Sequence, residues 1–287
     1  MKAIYKHELA SCFTGIAAYV FGAFILLFNG IYLTAYNLSS TVVNYEYAVG
    51  SMSMVFILAI PILTMRSLAE EKRQKTDQLL YALPLSMTDV VLGKYLALLT
   101  VLAAPVLSLC LWPLVLSQYG DINMNMCYFT IIAFFLLGAA LMAIGMFLSS
   151  LVENQAVAAG LSVCMMLLLY FLSGLADLVS QEAFASFLAF FVLGLVLAVV
   201  LKILSGSTSA AVLLGLALEL GLTLFYLLKP AAFEGLFPNV MVRLSLFDRF
   251  YDVIDGVFSL SLPVFDLSVV GLFLFFTVQS MEKRRWK

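Results

Sequence analysis

The sequence predicts an all-α polytopic integral membrane protein of about eight transmembrane helices, or six on the smaller reading, with amphipathic interfacial helices attached. Three observations lead there. First, 64% of the 287 residues are hydrophobic and only 11% are charged, with a mean hydropathy of +1.08. A soluble domain carries roughly a quarter charged residues, so this chain has too few polar side chains to cover a surface facing water. Second, the apolar residues fall in runs near the ~20 residues that a spanning helix needs. Third, Lys and Arg crowd into alternate connections.

In chain order the apolar runs cover about 16–36, 50–68, 90–117, 127–151, 155–176, 185–204, 209–228 and 264–282. The first is longer than the roughly 7–15 residues of a signal-peptide core and no A-x-A site follows it, so it reads as a retained span. The third contains Pro105 and Pro113, which kink a helix or end it early. The runs 185–204 and 209–228 are joined only by Ser205–Thr208. If 185–228 is something other than two spans, six spans remain and the parity is unchanged. No internal repeat and no linker rich in Pro, Gly or Ser divides the chain, so one membrane domain covers residues 1–287.

Orientation follows from the basic residues. With the N-terminus in the cytoplasm, the inner side holds Lys2, Lys6, Arg66, Lys72, Arg73, Lys75, Lys94, Lys202, Lys283, Arg284, Arg285 and Lys287. The outer side holds only Lys229, Arg243 and Arg249. The C-terminal "EKRRWK" is then also inside, which requires an even number of spans. The basic residues sit at membrane edges and form no stripe suited to nucleic acid.

Three segments look amphipathic rather than spanning. In residues 1–14, Met1, Ile4, Tyr5, Leu9 and Cys12 share a helical face, while Lys2, Lys6 and His7 lie elsewhere. Such a helix can lie in the inner interface with its lysines near anionic lipid. Residues 69–89 follow the second span and carry the densest charge of the chain: Glu70, Glu71, Lys72, Arg73, Lys75 and Asp77. Glu71 and Lys75 stand four apart with the acid first, which supports a helix. Leu68, Leu79, Leu80 and Leu83 give it an apolar side, and Pro84 ends or bends it. The segment is far longer than a connection requires. A solvated loop obeying the positive-inside rule accounts for its cations but not for its acids; a docking surface for a cytoplasmic protein accounts for both. In residues 229–262, Val240, Leu244, Phe247, Tyr251, Ile254 and Phe258 recur at helical spacing. Ser245, Asp248, Asp252 and Asp255 fall opposite, with Arg249 beside them. That is a helix on the outer interface whose acidic face is either solvated or in contact with substrate.

Two polar residues stand inside apolar runs. Glu219, near the centre of the seventh, is costly there; it either serves the transport pathway or makes a structural hydrogen bond. Asn29, in the first, reads as interhelical glue. Cys12, Cys110, Cys127 and Cys164 are dispersed and behave as small hydrophobes. His7 is the only histidine, which argues against a His/Cys metal site. It also argues against an intramembrane protease built on paired glutamates with histidines in later spans. A secondary transporter, the other alternative, would show inverted repeats or broken helices with buried charges at mid-membrane, for which Glu219 alone is slight support. A membrane anchor that recruits a cytoplasmic complex without transport needs the same charged segment and stays open.

"EEKRQKTDQLLYALPLSMTDVVLGKYLA" resembles the segment after the second span of ABC-2-type transporter permeases, in particular the gliding-motility and copper-processing branch. That pattern runs acidic, basic, Gly-Thr, Glu-Leu-Leu, a Pro-x-Ser and a Gly-Lys. Glu70, Glu71, Arg73, Thr76, Leu79, Leu80, Pro84, Ser86, Gly93 and Lys94 stand in those places. "YKHELASCFTGIAAYVFGAFIL", "SSLVENQAVAAG" and the ending from "FDRFYDVIDG" to "MEKRRW" are similar to the same branch. The resemblance implies the permease of an ATP-driven exporter in the bacterial cytoplasmic membrane. Two permeases, identical or related, would form the pathway above two separate ATPase subunits. Glu70, Glu71, Lys72, Arg73, Lys75, Thr76, Asp77 and Gln78 would form the ATPase-coupling contact. The chain has no G-x-x-x-x-G-K-[ST] motif, so this subunit is expected to be non-catalytic and without a cofactor, with ATP and Mg held by the partner. It departs from the pattern at Lys75, where the family often has Gly, and at Gln78, where it often has Glu.

Overall fold

A computed structural model describes residues 1–39, 44–75, 86–205, 208–257 and 259–285. They are helical throughout, and no strand occurs among them. Two compact units result.

The first unit comprises Met1–Tyr170 and Leu246–Lys287. Helix α1 (Lys2–Thr14) is followed by α2 (Ala17–Leu33), whose last turn widens into a π turn at Thr34–Leu38. The second membrane stretch is a chain of short helices: α3 (Tyr45–Met52), a 3-10 turn at Ser53–Val55, α4 (Phe56–Thr64) and α5 (Ala69–Gln74). Ser86 then caps α6 (Met87–Leu109) by accepting the Asp89 amide on its hydroxyl at 3.2 Å. The proline-bearing third run breaks at Cys110, and α7 (Leu111–Leu116) completes it.

Helix α8 (Met124–Leu151) is the centre of this unit. Every residue from Leu137 to Met146 is buried, as expected for a helix apolar on all sides. Gly138 allows the closest approach. A Cβ there would sit 2.9 Å from Leu102 Cδ2 and 3.0 Å from Phe56 Cζ, so α4 and α6 pack against bare backbone. Phe134 stacks on Phe56, with ring centroids 4.3 Å apart. Helix α9 (Gln155–Tyr170) closes the contiguous part, and α15 (Ser261–Arg285) packs back along α8. Asn29 of α2 accepts a hydrogen bond from the Tyr45 hydroxyl of α3 at 2.7 Å, and both side chains are buried.

The outer amphipathic segment differs from the single helix that its spacing suggests. It is two helices, α13 (Leu236–Leu244) and α14 (Leu246–Ile254), separated at Ser245, whose backbone is extended. The chain crosses from one unit to the other at that point. Within the first unit α14 is a core element. Leu246, Phe247, Phe250, Val253 and Ile254 are buried, and Phe250 lies 6.2 Å from Phe134. Gly50 gives the Ile254 side chain its room, because a Cβ there would collide with it. Tyr251 shares a hydrogen bond with Ser53 Oγ at 3.1 Å, and burial pushes its phenol up to about 12. The apolar face is therefore shifted from the expected one: the i, i+3, i+4 pattern restarts at Leu246. Phe258 lies outside the described residues.

The second unit, Phe171–Ser245, contains α10 (Leu172–Leu178), α11 (Ala183–Ser205), α12 (Thr208–Leu228), a 3-10 turn at Pro230–Phe233 and α13. Helices α11 and α12 lie side by side, with Phe187 stacked on Tyr226 at 4.6 Å. Leu188, Val192, Leu216, Leu220 and Leu224 point outward, as suits a surface solvated by lipid.

Among the described residues, five helices are long and apolar enough to cross a membrane: Ala17–Leu38, Tyr45–Gln74, Met87–Leu116, Met124–Leu151 and Ser261–Arg284. The number rises to seven if the broken pairs Gln155–Tyr170 with Leu172–Leu178 and Gly215–Leu228 with Pro230–Leu244 each count as one span. Every predicted apolar run lies on a helix; the break at Phe171 interrupts one of the eight, the 115° turn after Leu228 follows another, and the run 185–204 lies on the helix Ala183–Ser205, of which Ala183–Val196 counts as a shorter apolar helix among the described residues.

The packing sets an order of stability losses in detergent. Phe134→Ala removes a ring shared by three helices and costs about 3–5 kcal/mol. Asn29→Ala removes one interhelical hydrogen bond and costs about 1 kcal/mol. Thermal or SDS unfolding of the purified protein checks the order, and a larger loss for Asn29→Ala would contradict it.

Candidate functional site

The charged residues after the second membrane stretch gather around one lysine. Lys94 lies in the third turn of α6 and is only 2% exposed. Its ammonium donates to Glu71 Oε1 at 2.6 Å and to Glu8 Oε1. Glu71 belongs to α5 and Glu8 to α1. One cation thus joins three elements that are far apart in sequence. The acids retain some solvent contact while the lysine does not.

The residue before it explains the geometry. A Cβ on Gly93 would sit 3.2 Å from Ile4 Cβ and 3.4 Å from the Met1 carbonyl oxygen. Glycine lets α1 lie against α6, and Lys94 then reaches Glu8. One and a half turns further along α6, Thr100 shares a hydrogen bond with Tyr5 at 3.0 Å. The inward face of α1 is Ile4, Tyr5, Glu8, Leu9 and Cys12, the expected face with one acid added and Met1 left exposed, while Lys2, Lys6 and His7 are also exposed. Burial and the Glu8 carboxylate push the Cys12 thiol above its ordinary range.

The root of the charged segment is fixed a second time, at the C-terminus of α8. Ser149 Oγ accepts the Leu68 and Ala69 amides at 3.3 and 3.1 Å and donates to the Met65 carbonyl at 3.3 Å. The Lys72 ammonium, 6% exposed, donates to the Ser150 carbonyl. A cation is favoured at that helix end, where backbone carbonyls lack helical partners. Ser280 of α15 donates to the same carbonyl at 3.3 Å, and Arg284 pairs with Glu153 at 2.7 Å.

The eight residues singled out in this segment therefore divide. Glu71 and Lys72 turn inward as fasteners. Glu70 is half-buried, and Arg73, Gln74 and Lys75 are exposed. Thr76, Asp77 and Gln78 lie outside the described residues. Lys75 ends α5 with φ 57° and ψ 19°, the left-handed conformation. Its amide closes the helix onto Glu71 and Lys72 carbonyls. Glycine adopts this backbone without strain, which gives a physical reason for the glycine of the resembling sequences.

The remaining candidates are dispersed. Glu219 is buried between α11 and α12 against Gly194, and neither carboxylate oxygen has a hydrogen-bond partner among the described residues. On α14, Asp252 and Asp255 are exposed, while Asp248 and Arg249 are half-buried, with the Arg249 guanidinium 3.9 Å above the Phe265 ring. Sequence reasoning missed Glu8, whose signal was its place on the apolar face of α1. It also missed two buried acids: Glu46, which accepts a weak hydrogen bond from Cys127 at 3.5 Å, and Asp266, 2% exposed on α15. Both stand inside or at the edge of apolar runs, where the same cost that drew notice to Glu219 applies.

Among the described residues the arrangement is a root held by three elements, with a short, positively charged, exposed end. The same four stretches that resemble transporter permeases supply Glu8, Glu71, Lys94, Ser149, Ser150 and Arg284. A family model described as ABC-2 family transporter protein matches residues 3–187, more than half of the chain. The chain belongs to the ABC-2 transporter family. It is accordingly a multi-pass membrane protein and the permease subunit of an ABC transporter. No curated protein matches it. The matched region holds α1 through α10 and the whole Lys94 node, so the node belongs to the family's part of the permease.

Two outcomes test the site. Lys94→Met leaves two partly buried carboxylates facing each other and costs about 3–5 kcal/mol. Adding Glu8→Gln and Glu71→Gln to it recovers most of that loss in thermal unfolding. Lys75→Gly relieves the left-handed strain and stabilises by about 1 kcal/mol, while Lys75→Ala gives no such gain.

Proposed function

We propose that this permease works in an ATP-driven exporter and engages separate cytoplasmic ATPase subunits through the charged segment that begins at Glu70. One observation carries the proposal. Glu71 and Lys72 fix the root of the segment to α1, α6 and α8, while Arg73, Gln74 and Lys75 are presented outward. A lever needs both features. A loose root would dissipate displacement, and a segment turned wholly inward would have nothing to grip. Glu70, Arg73 and Lys75 are the contact positions, joined by Thr76, Asp77 and Gln78. Charged contacts at such a surface give register and partner choice.

The excess of basic residues on one side supports a cytoplasmic position for this face and for both termini, in the bacterial cytoplasmic membrane. Two permeases, identical or related, form the pathway. Closure of the ATPases on ATP, which they bind with Mg, moves the docked segments, provided the contacts differ between the two states. Export rather than import follows the resemblance to the gliding-motility and copper-processing branch. The acidic outward residues of α14, Asp252 and Asp255, face the opposite side on this orientation.

The test is a double variant, Arg73→Glu with Lys75→Gly, which changes the charges and keeps the turn. It weakens co-purification of the permease with its ATPase by about tenfold or more and lowers coupled ATP hydrolysis in vesicles, with thermal stability retained. Undiminished assembly and coupled hydrolysis would remove the proposal. Lys75, unlike the buried Lys72, also reports orientation: impermeant amine reagents applied outside intact cells leave it unlabelled.

A further inference from the structure

Beside the Lys94 node lies a cavity of about 360 Å³, within the usual size of small-ligand sites. It is enclosed by α1, the first residue of α2, the end of α4 with α5, and the early turns of α6. Its charged lining stands near the ends of candidate spans: Ala17 opens one, Arg66 and Glu70 fall in the last ten residues of a second, and Lys94 in the first ten of a third, where lipid headgroups come within reach. Its polar lining carries both signs of charge. Arg66 is exposed to it, Glu70 is half-buried, and Glu8 lies at its wall beside Lys94. Ser67 also lines it, 8% exposed, with a hydroxyl that has no hydrogen-bond partner among the described residues. A buried hydroxyl without a partner is costly and marks a place where a polar group belongs.

We propose that this cavity binds the headgroup of a zwitterionic phospholipid bearing a primary ammonium, phosphatidylethanolamine in chemical type. Arg66 takes the phosphate, with the Ser67 hydroxyl donating to the same group, and Glu70 takes the ammonium. Three features select this class. Glu8 and Lys94 offset each other in their ion pair, which leaves one cation, Arg66, and one acid, Glu70, to face a headgroup, a match for one that carries both charges. A quaternary ammonium is recognised by aromatic faces, and the lining has no aromatic side chain among the described residues. Leu63 and Leu98 at the walls offer apolar surface to the chains behind the headgroup. A lipid held here touches α1, α5 and α6 together and so binds the body on which the charged segment is rooted.

The experiment is native mass spectrometry of the full-length permease with phosphatidylethanolamine, phosphatidylcholine and phosphatidylglycerol titrated in turn. Phosphatidylethanolamine is expected to bind most tightly. Arg66→Gln should weaken it about tenfold, the loss of one charge-assisted hydrogen bond, and Arg66→Lys should keep most of the affinity. Glu70→Gln should shift preference toward phosphatidylglycerol. Arg66 is exposed, so its variants leave folding intact; they keep the charges of Glu70, Arg73 and Lys75, and the lipid titration is made without the ATPase, which separates this test from that of docking. Equal binding of the three lipids, or binding indifferent to Arg66→Gln, would overturn the proposal. So would O-phosphoethanolamine binding as tightly as the lipid, which would assign the cavity to a soluble ligand.

Discussion

The structure at its charged end depends on one ammonium group withdrawn from water. Lys94 sits almost fully buried on α6 and is shared by a glutamate from α1 and another from α5. A pair of ions taken out of solvent contributes little net stability, because desolvation offsets attraction. What it imposes is arrangement. With the lysine in place, no packing that separates α1 or α5 from α6 leaves the charges satisfied. Gly93 next to it removes the steric obstacle to the same approach. The Gly-Lys pair is thus a single device, with space from one residue and specificity from the other.

From that constraint the division of labour in the charged segment follows. Electrostatic fastening at Glu71 and Lys72 ties the short helix α5 to the lysine on one side and to the carbonyl end of α8 on the other. Helix α8 is buried on every side from Leu137 to Met146, so α5 is attached to an element that runs through the core of the unit. The charges left over, on Arg73 and Lys75, stand at the end of that anchored helix. In an ABC permease, displacement delivered at such a point has a direct path into the membrane helices. Lys75 holds a backbone conformation that a lysine pays for, and glycine would be relaxed there.

Much of this was legible in the sequence. The apolar runs located the helices because the membrane leaves a spanning backbone no other solution. The apolar face of α1, the exposure of its lysines and the interruption of the third run at its prolines could be read from spacing alone. Other features could not. Charge sign says nothing about direction, so Glu71 and Lys72, read as contacts, turn inward, and Glu8 passed unnoticed. Helical periodicity through residues 240–258 also concealed the extended residue Ser245, because the two halves stay nearly in phase across it. The break shows only where Leu246, Phe247 and Phe250 find their partners on α8 and α9.

The central claim is that α1, α5 and α6 move as one body through Lys94. Its most direct test is the distance between spin labels on the exposed Lys6 of α1 and the exposed Gln74 of α5, measured by pulsed electron resonance in the assembled transporter. The measurement would be made without nucleotide and with ATP hydrolysis trapped. The account predicts one narrow distance distribution that stays the same in both states. A distribution that broadens, or shifts by more than its own width on nucleotide binding, would contradict it.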